Sequence, residues 1–459
     1  MATKEFSVES LSNVISQYDY ANDYVVAYSG GLDSHVLLHA LSVLAQNENI
    51  TVTAVHVNHG WSPNSANWVR HCGLVCKNLK IPLNVISVDA KSGPGASPEA
   101  YARDVRYSVL AEYLKCMQAL VTAHHLDDQA ETFLLQLLRG AGLRGLSSMP
   151  ACQVFSVGWL IRPLLEFSRE SLHEYALVHD LKWIEDESNS DTDLDRNYLR
   201  HTVIPLILDR WPSAHSTLSR AASHAANTSA MADMLARQDR IKAMSCRDTS
   251  LSVPVLKSLD TLRRYNLLRT WIRDNGYSVP STKVLECLGG ELLDAAGDSM
   301  PLVEWPGAQI RRFQQRIYLL PPLPSEPGSM LLPCSLTAST DLPIGKLQIR
   351  TSHGQGLSIK RCTNEPLIIR FRNGGESLRP VRRHRTIALK KILQDSCVPP
   401  WLRNFVPLIC SGDTIVAVAG IAIHEDWQTT AGEVGYQPIW EIPTAFSEAM
   451  PRNLFEPRE

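Results

Sequence analysis

Six residues, Ser29-Gly30-Gly31-Leu32-Asp33-Ser34, limit what this chain can be more than any other stretch of it. They follow an apolar run, Tyr24–Tyr28 (YVVAY), that reads as a buried strand, and they lead into His35–Leu44, which reads as a helix. Two adjacent glycines let the backbone turn tightly and bring its amides against a ligand. The serine hydroxyls add donors, and the helix N-terminus adds free N–H groups and a positive dipole end, a setting suited to phosphate. Asp33 is the discordant member, because a carboxylate beside phosphates repels them unless a cation lies between. Asp33 therefore predicts Mg2+. The loop lacks the G-x4-G-K-[ST] pattern of the other common phosphate cradle. Capping alone would explain one serine or the aspartate, but not the whole set between a strand and a helix.

The flanking sequence repeats the alternation. Ile50–Val57, Leu83–Val88 and Ala119–Ala123 read as further strands, and Trp68–Leu79, Pro98–Met117 and Asp127–Arg139 as helices. This order predicts an α/β fold with a parallel sheet covered by helices. At 459 residues the chain exceeds one core of about 250–300 residues, so more than one domain is expected. From about His215 long helices take over: Ser219–Met244, Val255–Asn275 and Ser281–Ala296, with short strands from Leu302 to Leu320. Pro321–Pro333 holds five prolines in thirteen residues, a density that sustains neither helix nor central strand. The expected organisation is a catalytic domain at 1–215, a mainly helical middle domain at 216–320, a Pro-rich linker at 321–345, and a mixed α/β C-terminal domain at 346–459. One short helix is expected in the last, near Ile387–Gln394.

A formal net charge of −2 does not mark a nucleic-acid binder in bulk, so any polyanion site must be a local patch. Arg370–Lys391 supplies one: Arg370, Arg372, Arg379, Arg382, Arg383, Arg385, Lys390 and Lys391, opposed within the segment by Glu376 alone. The first twenty residues carry no apolar core of signal-peptide type, and no run is long enough to span a membrane. Ten scattered cysteines then read as reduced thiols of a cytoplasmic protein, with no spacing for a zinc site.

Four further strings narrow the chemistry. Val55-His56-Val57-Asn58-His59-Gly60 ends the second strand at the sheet's carboxyl edge, where ligands of open α/β sheets sit. Ala123-His124-His125-Leu126-Asp127-Asp128-Gln129-Ala130-Glu131-Thr132 follows the fourth strand, and its Asp127 and Glu131 share one helical face. Glu99, Arg103 and Arg106 lie in EAYARDVRY. Ile184–Asn189 is followed by Arg196-Asn197-Tyr198-Leu199-Arg200, whose two arginines share a face and can meet nucleic-acid phosphates.

The loop resembles the SGGxDS signature of the PP-loop ATP pyrophosphatases, whose fold is the adenine nucleotide alpha hydrolase type. Together with AHHLDDQAET, RNYLR and the C-terminal basic segment, it resembles the long form of the tRNA(Ile)-lysidine synthase family. That resemblance implies ATP cleavage between the α- and β-phosphates, held by Ser29, Gly30, Gly31, Leu32, Asp33 and Ser34, with adenosine near His56. It implies that Asp127, Asp128 and Glu131 hold the cation of free L-lysine. Arg103 would neutralise the α-phosphate, and Asp128 or His125 would accept the proton of the lysine amine. The RNA partner implied is isoleucine tRNA with a CAU anticodon, met by Arg196 and Arg200 near the reaction and by Arg382, Arg383, Arg385, Lys390 and Lys391 on its acceptor stem. A homodimer is left open. The nearest rival within the superfamily, a tRNA thiolase, generally carries sulfur on C-x2-C pairs, which this chain lacks.

Overall fold

The computed structural model describes residues 4–18, 21–60, 64–88, 98–185, 191–245, 248–296, 299–381 and 385–447. Two compact units divide the chain, Met1–Met231 and Ala232–Glu459, with the boundary inside the long helix Ala214–Ala243.

The first unit runs α1 (Val8–Ile15), β1 (Asp23–Ala27), α2 (Leu32–Asn47), β2 (Thr51–Asn58), α3 (Ser65–Leu79), β3 (Leu83–Ser87), α4 (Pro98–Tyr113), β4 (Gln118–Val121), α5 (Leu126–Leu138), β5 (Cys152–Phe155) and β6 (Gly158–Ile161). Its six-stranded sheet has the order β3-β2-β1-β4-β6-β5, parallel except for β5, which pairs antiparallel with β6. Strand residues alternate between two apolar layers, as the pleat requires. Val25, Val55, Leu120 and Leu160 meet Leu110 and Leu114 on one side. Tyr24, Val26, Ala54, Val121 and Ile161 join α1 and α2 on the other. Each such side chain contributes about 1.5–3 kcal/mol when fully buried. The predicted parallel α/β domain is therefore present, with its strands within two residues of expectation. The helix expected over Pro98–Met117 stops at Tyr113, and Met117 adopts φ +66, which a helix cannot contain.

Strand order places the site. The chain lays β2 and β3 on one side of β1, then crosses to lay β4 and β6 on the other. The carboxyl ends of β1 and β4 therefore open side by side at a switch point. Register aligns Val26 with Val121, and Val121 with Ile161, so the segments leaving β1, β4 and β6 emerge at one level. After β6 come the helix Arg169–Val178, then Asp195–Tyr198, a π-helical turn Leu199–Val203, and Ile204–Arg210.

In the second unit, the helices Val253–Ser258, Thr261–Asp274 and Thr282–Gly289 pack on a four-stranded sheet around Trp271. The helix expected over Val255–Asn275 is broken in two, because Asp260 caps a new start by accepting from the Arg263 N–H at 3.0 Å. Five-stranded and four-stranded antiparallel sheets follow. The segment 321–345, expected as a linker, is partly absorbed into them: Leu331–Pro333 pairs with Ile368–Arg370. Proline is tolerated there because this strand lies at the sheet's edge. The expected short C-terminal helix is Leu389–Asp395.

Candidate active site

The phosphate loop is built by its own residues. Gly30 has φ +90, and a Cβ there would meet Ile184 Cδ1 at 2.9 Å and Cys72 Sγ at 3.0 Å, so only glycine fits. Ile184 N–H donates to the Gly30 carbonyl at 2.9 Å and fixes the turn from outside. Ser29 Oγ and Ser34 Oγ are 2.9 Å apart, and Ser34 Oγ also donates to the Gly31 carbonyl at 3.0 Å. Gly31 stands at the N-cap of α2 with no side-chain cap, which leaves the first-turn amides aimed at a ligand. His56, expected near adenosine, is buried one layer below. Its Nδ1 donates to the Tyr28 carbonyl at 2.9 Å and so steadies the stem of the loop.

Asp33 projects from the first turn of α2. Its Oδ1 is buried and has no hydrogen-bond partner, while Oδ2 lies 3.7 Å from His125 Nε2. Burial raises the Asp33 pKa, against smaller opposing effects from His125 and Arg169. A buried carboxylate oxygen without a donor is what a cation would satisfy. Among the described residues no cluster of three or more His, Cys, Asp or Glu could hold a metal alone. Asp33 therefore fits a Mg2+.

Across the switch point, His125 caps α5. Its Nδ1 accepts from the Asp128 N–H at 3.4 Å, and its own N–H donates to Asp128 Oδ2 at 3.1 Å. Asp128 Oδ1 takes Arg200 at 3.0 Å and Arg196 at 3.3 Å. Glu131, 1 % exposed, takes Arg200 Nε at 2.6 Å and Arg196 Nε at 2.8 Å. Burial pushes the Asp128 pKa up, but His125, Arg196, His124 and Arg200 outweigh it and hold the carboxyl below its ordinary range. Arg196 and Arg200 were expected to face RNA, and Asp128 and Glu131 to face lysine. The fold instead brings these four together as one charge-balanced cluster. The π-helical turn at Leu199–Val203 carries Arg200 into it. Asp127 accepts from the Arg169 N–H at 3.3 Å and lies 3.6 Å from His215 Nδ1. Arg103 is exposed on α4, its guanidinium 5.7 Å from the Tyr107 ring centre.

No sequence pattern pointed to Arg169 or His215, which act through single contacts made far along the chain; Ile184 opens the string Ile184–Asn189, but its brace on Gly30 was not legible there. In the second unit, fold partners dilute the basic segment. Arg379 pairs with Glu425, and Lys391 with Asp395 at 3.0 Å, while Arg385 and Lys390 are exposed. Arg382 and Arg383, and the acidic stretch from Asp186 to Asn189, lie outside the described residues.

The chain matches a PP-loop domain over residues 4–207, a TilS substrate binding domain over 251–318 and a TilS substrate C-terminal domain over 367–440. It is 39% identical over 433 residues to a tRNA(Ile)-lysidine synthase of Coxiella burnetii (strain RSA 493 / Nine Mile phase I), covering 94% of this chain and 96% of that one. It is 41% identical over 413 residues to the enzyme of that name from Legionella pneumophila (strain Lens), covering 88% and 93%.

Proposed function

The chain belongs to the tRNA(Ile)-lysidine synthase family, and from that premise we propose that it is an ATP-dependent ligase joining L-lysine to the wobble cytidine of isoleucine tRNA with a CAU anticodon. The product would decode AUA as isoleucine in place of AUG as methionine. The observation that carries this reading is the pairing of the phosphate loop, with its orphaned Asp33 oxygen, and the α5 acids at one switch point. Similarity to lysidine synthases over nearly the whole chain leaves the thiolase alternative without support.

Two steps follow. The cytosine carbonyl oxygen attacks the α-phosphorus of ATP, and the bond to pyrophosphate breaks. Ser29, Ser34 and the α2 amides hold the departing phosphates, and Arg103 offsets charge at the α-phosphate. Asp33 would hold Mg2+, which would supply neutralisation of the phosphate charge. The neutral ε-amine of lysine then attacks the activated ring carbon; a C–N bond forms and AMP leaves. The free amine has a pKa near about 10.4, so it must shed a proton on binding. Asp128 or His125 accepts that proton; the His125 Nε2 lies 3.4 Å from Asp128 Oδ2 and 3.7 Å from Asp33 Oδ2, so a proton taken up there meets carboxylates. Asp128 is ionised, Asp127 attracts the incoming lysine cation, and Glu131 with Asp128 keeps Arg196 and Arg200 from repelling it.

Single-stranded anticodon bases can be splayed into such a site. Arg196 and Arg200 border it, and Arg385, Lys390 and Lys391, with Arg382 and Arg383, anchor the rest of the tRNA. Among the described residues no helix is long and apolar enough to cross a membrane and the cysteines are free thiols, in keeping with work in the cytoplasm. The test is incubation with ATP, radiolabelled lysine and CAU-anticodon tRNA. Label in the tRNA with stoichiometric AMP is expected; ATP cleavage with no label in the tRNA would overturn the reading.

A further inference from the structure

The carboxyl edge of the catalytic sheet is electrically lopsided. On the α5 flank, Arg196 and Arg200 are matched by Asp128 and Glu131. On the β6 flank stand Arg103 and Arg162, and among the described residues neither has an ion-pair partner. Arg162 directly follows β6 and is only 5 % exposed. One of its terminal nitrogens donates to the Pro150 carbonyl at 2.7 Å, and the guanidinium also donates to the Tyr107 hydroxyl. Its Nε is buried without any hydrogen-bond partner. A desolvated cation with no counter-charge is strongly disfavoured unless something else supplies the anion.

The neighbours mark where that anion would lie. Arg103 and Tyr107 are four apart on α4 and present one face. Thr122 N–H donates to the Ile161 carbonyl at 3.1 Å, which ties the exit of β4 to the residue before Arg162. His124, leaving β4, has Nδ1 2.9 Å from Thr122 Oγ1. Burial lowers the His124 pKa to about 3, with Arg162, Arg196 and Arg103 adding to the fall against the pull of Asp128. His124 therefore stays neutral and offers Arg162 no competing charge. β6 lies two strands from β1, about 10 Å across the edge, on the side away from β2 and His56. The anion thus belongs to the acceptor side of the reaction rather than to the phosphates in the loop.

We infer that Arg162, with the Tyr107 hydroxyl, binds the α-carboxylate of the amino-acid substrate. This rests on the proposed ligation of lysine and deepens it. A free amino acid brings one carboxylate and one ammonium separated by its side chain. The site offers negative charge at Asp127 on one flank and an unmatched guanidinium on the other. A planar fork with a free Nε–H suits a carboxylate in an enclosed position.

The test compares L-lysine with cadaverine, the same amine without the carboxylate, using the full chain, ATP and CAU-anticodon tRNA. The native protein should strongly prefer lysine. Arg162→Gln should cut kcat/KM for lysine about a hundredfold while cadaverine use shifts by less than about threefold, so the preference collapses. Arg162→Lys, which keeps the charge, should restore part of it. Pyrophosphate release without any amine, together with thermal melting, reports whether fold and adenylation persist. Equal losses with both amines would make Arg162 a structural strut and overturn the assignment. A higher tRNA requirement with a flatter salt dependence and an intact lysine preference would assign the anion to an RNA phosphate and overturn it too. A native protein that cleaves ATP but takes up neither amine would sink the parent reading, and this one with it.

Discussion

Asp33 and Glu131 are both buried acids, yet their surroundings give them opposite behaviour. Asp33 has one oxygen with no donor and a pKa raised by burial, so the bare fold gains nothing from its charge. Asp33→Asn should therefore leave thermal melting unchanged or slightly higher while pyrophosphate release falls by more than about a hundredfold. Turnover at the native rate would sink the cation-bridging role. Glu131 is the reverse case, held by two arginines at 2.6 Å and 2.8 Å. Glu131→Gln leaves those guanidiniums half-matched and should cost about 3 kcal/mol in denaturant unfolding. It should also raise the KM for lysine while adenylation continues. A stability loss with an unchanged lysine KM would keep Glu131 as a tether and remove it from lysine binding. The acids of AHHLDDQAET were legible as a set because two histidines, two aspartates and a glutamate around the start of α5 exceed what capping needs. Their partners were not, since an ion pair spanning 65 residues leaves no local pattern.

Elements were legible in proportion to how far their burial is written locally. β1 and β2 are apolar runs flanked by turn residues, and parallel core strands read that way because both faces are covered. The break at Asp260 was present in sequence as a capping residue, but the apolar periodicity continues across it and hid the stop. A π-helical turn shifts helical phase by one residue without changing composition, so Leu199–Val203 was invisible. The phosphate loop was the most legible element, and its geometry makes a sharp demand at Gly30. Gly30→Ala places a Cβ at φ +90 against Ile184 and Cys72. It should destabilise the first unit by at least about 1–2 kcal/mol and abolish ATP cleavage. An alanine variant that binds and cleaves ATP normally would mean that the loop adapts and that Ile184 does not brace it.

At the scale of the molecule, the first unit buries histidines in neutral form. Burial lowers His35 to about 4, and lowers His39 and His56 as well. In the unfolded chain such residues take up a proton near about pH 6.5, whereas folded His35 does so only near about 4. Between those values unfolding binds protons, so stability is complete above about pH 6.5 and falls as the pH drops toward 4. Denaturant midpoints at about pH 7 and about pH 5 should differ accordingly, and His35→Gln should narrow the gap; equal midpoints in the native protein would contradict it. Charge compensation of another kind has a consequence for biosynthesis. A chain leaves the ribosome N-terminus first, so β1 to β6 and the acids of α5 emerge before Arg196 and Arg200. Until those two arginines appear, Glu131 has no partner that allows its burial. The start of α5 therefore cannot settle until they emerge, and a nascent chain halted before Arg196 would carry a finished sheet beside an unfinished catalytic edge.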